Sequence, residues 1–359
     1  MQTDFLIIGG GIAGISAAAR LSALGSVIVL EAEANLAHHT SGRSAALYEP
    51  HYGLAPVVAL SLASGEYFRA TPGLLAPRGM MILAKADDAD QFATDIAAMN
   101  LSRISIAEAQ AIVPIINAQT VAHAAIADHA WDIDTDLLLQ GFAKTARANG
   151  AQIITSARVS ALHKTQAGWN IVSTAGEFTA RTIVNAAGAW ADIIAEMAGL
   201  PKIGLQPMRR SMARLPAPGG HDVTRWPMIF GAGETWYAKP DAGALLVSPA
   251  EEHPMPPHDA WADDMVLAEG LARYEEMMSE PVTRLLTSWA GLRTFSPDRV
   301  LVIGSDPADA SFFWLAGQGG YGFQSAPAAS QLAADLIAGD RTGLPAELVA
   351  RLSPARFRT

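Results

Sequence analysis

The sequence predicts an α/β fold with two domains, one with helices around a parallel sheet and one built on a mixed sheet. A strand, a glycine-rich turn, a helix and a second strand follow one another within residues 4–33, which is how a dinucleotide-binding fold begins. Between about 205 and 290 the pattern changes to short β runs separated by Pro and Gly. After that segment the α/β character returns, so the first domain is predicted to be discontinuous. We assign it residues 1–78, 140–204 and 288–359, and assign the second domain residues 79–139 and 205–287.

The composition favours a compact enzyme and excludes several other classes of protein. Half of the 359 residues are hydrophobic and 17% are charged, which rules out a mainly disordered chain. The net charge of −10 argues against a nucleic-acid partner, because neutralising phosphates needs clustered Lys and Arg. The chain has no cysteine, which excludes disulfides, thiolate metal sites and a cysteine nucleophile.

The start of the chain lacks the basic residues of a signal peptide, and nowhere do 18 apolar residues run unbroken. We therefore expect a cytoplasmic protein without a membrane span, with peripheral contact at the inner membrane face left open.

Hydrophobic spacing and helix-end signals give the elements in chain order. Residues 4–9 predict a buried strand, 12–25 a helix of small residues, and 26–33 a second strand. Asp134 or Thr135 is expected to cap a helix that ends at Gly150. The other predicted helices cover 55–68, 87–101, 105–113 and 321–339, and the other strands cover 77–85, 151–165, 168–174, 181–188, 206–215, 226–232, 235–249, 299–306 and 311–317.

The first motif is GGGIAG, in which Gly9, Gly11 and Gly14 have separate physical roles. Gly9 allows the tight turn, Gly11 lets the backbone approach a pyrophosphate, and Gly14 lets the helix pack closely on the strand. The pyrophosphate would lie at the helix N-terminus, where free N–H groups favour an anion. Glu31 ends the second strand 22 residues after Gly9 and would accept hydrogen bonds from a ribose. The alternative is a purely structural glycine turn.

Two further segments favour FAD over NAD. TIVNAAGAW (182–190) is a strand that ends in small residues, and WLAGQGGYGFQ (314–324) is a strand that stops at consecutive glycines before a helix. Such a turn directs several N–H groups at one place, which suits the electron-rich end of a reduced flavin. A glycine-rich helix entry without a ligand remains the alternative.

Several segments together resemble the FAD-dependent D-amino acid oxidase (DAO) superfamily, and within it the bacterial D-arginine and D-amino acid dehydrogenases. They are DFLIIGGGIAGISAAARLSALG, HHTSGRSAA, IVNAAGAWAD, GLQPMRRSM, WYAKPDAG, WAGLRTF and GQGGYGFQ. The resemblance implies a glutathione-reductase-like FAD-binding Rossmann domain beside a substrate domain built on a mixed, largely antiparallel sheet with helices. It also implies non-covalent FAD with its ring at the junction, although a bond between a histidine and the flavin stays an alternative. The cofactor-binding residues implied are Gly9, Gly11, Ile12, Ala13, Gly14, Glu31, Ala32, His39, Ser41, Gly42, Arg43, Ser44, Ala45, Val159, Ala187, Gly188, Trp190, Arg293, Gly319, Gly320, Tyr321, Gly322, Phe323 and Gln324.

The resemblance also implies the catalytic residues. Arg210 and Arg293 match the two arginines that bind the substrate carboxylate, Tyr237 matches a hydroxyl donor, and Tyr52 matches a tyrosine of a mobile loop over about 44–55. Strand alternation agrees for Arg210, because neighbours on a strand point to opposite faces and Arg209 therefore cannot share its role.

The substrate pocket departs from the arginine-specific relatives. Met80 stands where they have a glutamate, Leu47 replaces a histidine and Glu49 a threonine. Together with Met228 and Phe230, these differences imply a more apolar pocket, with Gln324 near the ligand. His38, His39 and His51 complete no spaced set of metal ligands, so no metal site is expected.

The expected function is FAD-dependent oxidation of D-amino acids, with apolar or aromatic side chains preferred over D-arginine. The electron acceptor would be a quinone, another respiratory carrier or oxygen. Oxidation of glycine, sarcosine, another secondary amine or a 2-hydroxy acid stays open, and so does a flavin-holding accessory subunit without a substrate of its own.

Overall fold

The computed structural model describes residues 1–358 and contains two large sheets. The first has eight strands, which are β1 (Gln2–Ile8), β2 (Val27–Leu30), β9 (Gln152–Ile154), β10 (Val159–Thr165), β11 (Gly168–Ser173), β12 (Gly176–Asn185), β19 (Val302–Asp306) and β20 (Asp309–Ala316). Four of its pairings are parallel: β1 with β2 and β12, β2 with β9, and β12 with β20.

Both faces of this sheet are buried, which explains the unbroken apolar run of β1. Ile7 packs with helical residues of one core cluster, whereas Leu6 and Ile8 belong to a second cluster on the opposite face. Strand alternation requires this division, and helix coverage is what a parallel sheet needs. The associated helices are α1 (Ile12–Leu21), α2 (Ala55–Ala70), α5 (Thr135–Ala148), α6 (Ala191–Met197), α8 (Gly322–Ala338) and α9 (Ala346–Leu352).

The second sheet has nine strands and is largely antiparallel, as the sequence predicted. Its parallel pair is β14 with β5, where Met228 lies opposite Met80. Its strands are β5 (Met80–Ala84), β6 (Ser102–Ile104), β7 (His123–Ala127), β13 (Gln206–Pro216), β14 (Met228–Gly231), β15 (Tyr237–Asp241), β16 (Ala244–Ser248), β17 (His253–Pro254) and β18 (Thr287–Phe295), and its helices are α3 (Ala89–Ala98), α4 (Ile106–Ile112) and α7 (Asp264–Glu276). A three-stranded sheet holds β3 (Leu47–Tyr48), β8 (Trp131–Ile133) and β4 (Leu75–Pro77).

The predicted N-cap at Asp134 and the predicted end at Gly150 are both confirmed for α5. Asp134 accepts a hydrogen bond from the Leu137 N–H at 2.8 Å, and Gly150 has φ +88° just beyond the helix. Both features are those expected of an N-cap and a left-handed stop.

Between 205 and 290 the sequence analysis named β runs and no helix, but α7 lies there. Asp263 caps it by accepting from the Met265 and Val266 N–H groups, both at 3.1 Å. Only a narrow stripe of α7 is buried, and it includes Gly270, whose Cα lies so close to Pro249 that an added Cβ would come within 2.2 Å of it. A glycine inside a narrow apolar stripe weakens the helical signal in the sequence.

The pairing of β13 with β18 also disagrees with the proposed domain limits. It runs from Gln206 opposite Phe295 to Arg214 opposite Thr287. Residues 288–295 therefore belong to the second sheet, although the sequence assigned them to the first domain. The proposed domain limit at residue 140 also falls inside α5, which spans Thr135–Ala148. Among residues 1–358, no helix has the length and apolar character that crossing a bilayer requires.

Candidate active site

A cleft of about 1420 Å³, which includes its solvent-open mouth, lies at the carboxyl ends of the first sheet's strands. Such ends are where α/β folds place ligands. The second sheet forms its opposite wall. Of the predicted site residues, the cleft is lined by Gly11, Ile12, Ala13, Ser41, Arg43, Ser44, Ala45, Leu47, Tyr52, Met80, Gly188, Arg210, Met228, Phe230, Tyr237, Arg293, Gly319, Gly320, Gly322, Phe323 and Gln324.

Two predicted glycines lie behind the cleft and shape the turn. Gly9 has φ +112°, and a Cβ there would come within 2.4 Å of the Ala186 carbonyl oxygen. A Cβ on Gly14 would lie 1.9 Å from the Gly9 oxygen. A side chain at Gly14 would push α1 away from β1, and one at Gly9 would collide with the backbone that follows β12, so either would distort the turn that opens α1 into the cleft.

The start of α1 is joined to the segment over 40–43 by a hydroxyl. Ser41 Oγ accepts a hydrogen bond from the Ile12 N–H at 3.0 Å. Buried Glu31 accepts from the Gly10 N–H at 2.6 Å and from the Glu33 N–H at 2.8 Å. Glu31 therefore fixes the glycine turn itself, and its contact with a ribose stays a prediction.

The remaining predicted cofactor residues lie around the cleft rather than on it. His39 packs its ring against Trp190, with centroids 4.7 Å apart. Val159 belongs to an apolar core cluster of the first sheet. Gly42 passes so close to Ala37 that an added Cβ would lie 2.3 Å from its oxygen. Ala32 follows Glu31, and Ala187 precedes Gly188. The Tyr321 ring is tilted against that of Tyr52, with centroids 5.4 Å apart.

Possible metal ligands come together at one place, which the sequence spacing did not indicate. One ligand atom each from Glu33, His38 and His39 lies within 4.8 Å of the others. His38 and His39 also face Asp259 at 3.4 and 3.6 Å. Burial lowers the pKa of His39, which favours its neutral form.

The glycine turn after β20 meets β18 closely. Gly319 has φ +52°, and an added Cβ would lie 2.3 Å from the Phe295 ring. A Cβ on Gly320 would lie 3.1 Å from the Arg293 guanidinium. Two buried polar groups on the cleft wall, Gln324 Nε2 and Thr294 Oγ1, have no hydrogen-bond partner within residues 1–358. Buried polar atoms are normally paired, so these groups indicate a polar ligand beside the turn.

Arg209 and Arg210, an adjacent pair on β13 that we call the arginine doublet, lie in two different environments. Arg210 lines the cleft, and its Nη2 donates to Glu252 at 3.1 Å. Its Nε and Nη1 are buried and find no partner in the described part of the chain. Arg209 faces away, toward His253 at 3.3 Å and Glu251 at 3.7 Å. The alternation of β13 therefore directs one guanidinium into the cleft and the other into an ion-pair cluster.

Arg293 shares the cleft with tyrosines and a carboxylate. Burial acts to lower its pKa, but Tyr237, Tyr52 and Glu234 outweigh that effect and raise it above the ordinary value, so the guanidinium stays charged. Tyr52 donates to Glu234 at 2.9 Å, and burial raises the pKa of Tyr52 strongly. The phenol is therefore neutral and can serve as a donor.

Two residues at the site, Glu234 and Lys239, were not among those predicted from the sequence. Glu234 lines the cleft from a tight turn after β14, where its own φ is +53°. Lys239 pairs with Asp132 at 2.8 Å and donates to the carbonyls of Ala45 and Ala46. Lys239 stands two residues after Tyr237 on β15, so strand alternation could have placed it on the same face.

Comparisons with known proteins agree with this architecture. The family model for DAO, FAD dependent oxidoreductase, matches residues 4–336. FAD-dependent oxidoreductase domain-containing protein 1 of Bos taurus is 24% identical, over 94% of this chain and 81% of its own length. The crystal structure of L-proline dehydrogenase from P. horikoshii superposes with a TM-score of 0.84 at 23% identity, covering 99% of this chain and 98% of that one. Glycine oxidase from Geobacillus kaustophilus gives a TM-score of 0.83 at 21% identity, covering 99% of both chains.

Proposed function

Because the chain belongs to the DAO family of FAD-dependent oxidoreductases, we propose that it oxidises D-amino acids, with apolar or aromatic side chains preferred over D-arginine. The products are imino acids, which water converts to 2-oxo acids and ammonia. The observation that carries the proposal is the pair of guanidiniums, Arg210 and Arg293, that faces the same cleft as the glycine turn at 317–320. The choice of D over L rests on the resemblance to bacterial D-arginine dehydrogenase.

The residues of the cleft fit FAD. The N-terminus of α1 and Ser41 suit the pyrophosphate, and the turn at 317–320 with Gln324 Nε2 suits the polar edge of the ring. When bound, FAD accepts two electrons as hydride, and the protein supplies binding and orientation.

The carboxylate of the substrate is bound by Arg210, Arg293 and Tyr237. Nε and Nη1 of Arg210 are free to donate to a ligand, and charge-assisted contacts of this kind are worth roughly 1.5 to 3 kcal/mol each. Tyr237 is buried beside Arg210, with the guanidinium carbon 5.9 Å from the ring centroid. Fixing the carboxylate orients the α-hydrogen, and such positioning accounts for a large share of the rate.

The charges of the cleft favour an amino acid over a 2-hydroxy acid. Glu49 and Glu234 line the cleft together with Arg210 and Arg293. Two carboxylates beside two guanidiniums complement a zwitterion, whereas an anion without an amine would leave the carboxylates without a positive partner.

The side chain of the substrate is expected to contact Met80, Met228 and Phe230. They lie in one apolar cluster, in which Met80 and Met228 are opposite each other on paired strands. Burying an apolar side chain of the size of Leu or Phe contributes roughly 1.5 to 3 kcal/mol. A guanidinium in the same place would lose its hydration.

A second candidate is oxidation of glycine or of a secondary amine such as sarcosine, because the similar structures include a glycine oxidase and an L-proline dehydrogenase. Arg210, Arg293 and Tyr237, which together form the proposed carboxylate clamp, would bind the acid group of these substrates as well. A quinone, another respiratory carrier or oxygen would reoxidise the flavin. We also propose a cytoplasmic location, with peripheral contact at the inner membrane face as the alternative.

Anaerobic mixing of the yellow protein with a substrate panel tests the proposal. The panel contains D and L forms of phenylalanine, methionine and arginine, with glycine, sarcosine and both lactates. We expect rapid bleaching of the flavin by D-phenylalanine and D-methionine, and slower bleaching by D-arginine. Preferential bleaching by L forms, glycine or lactate would reassign the substrate, and no bleaching by any compound would indicate an accessory subunit. Admitting air afterwards distinguishes an oxidase from a dehydrogenase.

A further inference from the structure

Glu49 is a buried carboxylate on the cleft wall that the carboxylate clamp does not use. Its side chain is 3% exposed, and the residue lines the same cleft as Arg210 and Arg293. Its Oε1 accepts a hydrogen bond from the His51 N–H at 2.9 Å. Its Oε2 is buried without a hydrogen-bond partner among residues 1–358. One oxygen is thus anchored, and the other makes no hydrogen bond within the described chain.

Two histidines and a glutamine surround Glu49. His129 Nε2 lies 3.4 Å from Oε2, but it also lies 3.1 Å from the Met99 carbonyl oxygen, which can only accept. That nitrogen therefore carries the hydrogen that it donates to Met99. The His51 ring packs on His129 with centroids 5.5 Å apart, and on the α8 side Gln324 Oε1 accepts from the Glu49 N–H at 3.2 Å. Neither arginine of the cleft, nor any other Lys or Arg in the described chain, forms an ion pair with Glu49.

The backbone holds this carboxylate in place. The Glu49 N–H bonds to α8, and the preceding residues Leu47 and Tyr48 form β3, which pairs with β8 next to His129. A proton acceptor needs such positioning, because proton transfer requires a fixed hydrogen-bond distance.

We propose that Glu49 accepts the proton that the ammonium group of the substrate must lose before the α-hydrogen can leave; this rests on the proposed oxidation of an amine. An N–H bond of the ammonium breaks, its electron pair stays on nitrogen, and an O–H bond forms at Oε2. The α-hydrogen then leaves with its electron pair to FAD, the family's oxidant, and a C=N bond forms from the nitrogen lone pair. Charge and electrons balance: the substrate loses two electrons and two hydrogens, one as hydride and one as the proton on Glu49.

The acidity of Glu49 suits this role. Burial raises its pKa to about 7, and the hydrogen bond from His51 opposes the rise. A base whose pKa lies near the working pH combines a useful charged fraction with useful basicity. A substrate ammonium next to Oε2 favours the charged carboxylate, so binding of the ammonium releases the proton that part of the Glu49 population carries in the free protein.

Proton release on binding gives a test that needs no turnover. The ligand is 2-aminoisobutyrate, which has an ammonium and a carboxylate but no α-hydrogen, and isobutyrate is the matched ligand without the amine. Calorimetry of the FAD-loaded protein in buffers of different ionisation enthalpy counts the protons. At pH 7 a group with a pKa of about 7 is half protonated, so we expect release of about half a proton with 2-aminoisobutyrate. Isobutyrate should release none, and Glu49→Gln should abolish the release. Equal release by wild type and Glu49→Gln would overturn the proposal.

The pH dependence of flavin reduction gives the kinetic test. With wild type, the second-order rate constant for anaerobic bleaching should rise with pH and level off above about 7. In Glu49→Gln the rise should move to the higher pKa of the free amine, with a loss on the order of 100-fold at pH 7. Glu49→Asp should recover part of the rate, and Glu66→Gln, the same change at an exposed position of α2, should leave the profile unchanged.

The two proposals fail in different ways. If no amino acid bleaches the wild-type flavin, the proposed function is wrong. If wild type is bleached but Glu49→Gln keeps both its pH profile and its proton release, the assignment of Glu49 alone is wrong. A retained flavin spectrum in Glu49→Gln shows that the variant is folded.

Discussion

Replacing Arg210 by methionine tests the carboxylate clamp most directly. The substitution removes the two unpartnered donors, Nε and Nη1, and leaves a shorter, unbranched apolar side chain. If each donor makes one charge-assisted contact worth roughly 1.5 to 3 kcal/mol, the loss is about 3 to 6 kcal/mol. Since each 1.4 kcal/mol is a factor of ten, kcat/KM should fall by about 100- to 10,000-fold.

The structure predicts that Arg210→Met stays folded. The carboxylate that Arg210 leaves behind, Glu252, still binds Arg299 through contacts of 2.8 and 3.0 Å. No buried charge is therefore left without a partner, and the flavin spectrum should be retained.

Arg209→Met is the matched control, and we expect it to lower stability rather than substrate binding. Glu251 is buried, and Arg209 is the cation beside it at 3.7 Å. Breaking a buried pair by removing one partner costs roughly 3 to 5 kcal/mol. We expect a lower melting temperature by calorimetry but only a mild effect on KM.

Two measurements test the different roles of Arg210 and Arg209. They are steady-state kinetics with the best substrate of the panel and thermal unfolding of both FAD-loaded variants. If Arg210→Met keeps kcat/KM within threefold of wild type, or if the two variants lose activity equally, the division of the doublet is refuted.

Three further predictions concern the cofactor and the pocket. Lys239→Met frees two loop carbonyls and should raise the dissociation constant of FAD at least about tenfold in titration of the apoprotein, whereas Lys239→Arg should raise it less. Gly319→Ala forces a Cβ into Phe295 at a positive φ and should abolish stable flavin binding, whereas Gly343→Ala, with open space around it, should not, and equal flavin content in the two purified proteins would contradict this. Met80→Glu adds a carboxylate to the apolar pocket and should raise kcat/KM for D-arginine relative to D-phenylalanine by about tenfold or more, and an unchanged ratio would count against the pocket assignment.

The sequence predicted what depends on local pattern. The glycines of the first turn, the caps of α5 and the opposite faces of Arg209 and Arg210 all follow from short-range geometry, and the structure agrees with each. The FAD-binding α/β fold was also predicted and is supported by the family match.

What the sequence did not predict depends on contacts between distant segments. Glu234 reaches the cleft because a tight turn with positive φ directs it there. Lys239 finds its partners in residues 45–46 and 132, far away along the chain. The position of β18 is set by its ladder with β13 and not by its own composition. No local periodicity encodes such pairings.

The ladder between β13 and β18 bears on how such an enzyme can change its substrate. Arg210 lies opposite Gly291, and Arg293 is two residues further along β18, so the register puts both guanidiniums on the same side of one hydrogen-bonded ribbon. Tyr52 and Glu49, in contrast, come from a loop segment, and Met80 from a strand four places away across the sheet. On the proposed function, the two arginines for the acid group would therefore lie on a different part of the sheet from Met80, whereas Tyr237 pairs with Phe230 and would join the two regions. On the proposed function, changes at Leu47 and Met80 would alter side-chain specificity without changing the two arginines, and a directed-evolution library confined to residues 47 and 80 would test this.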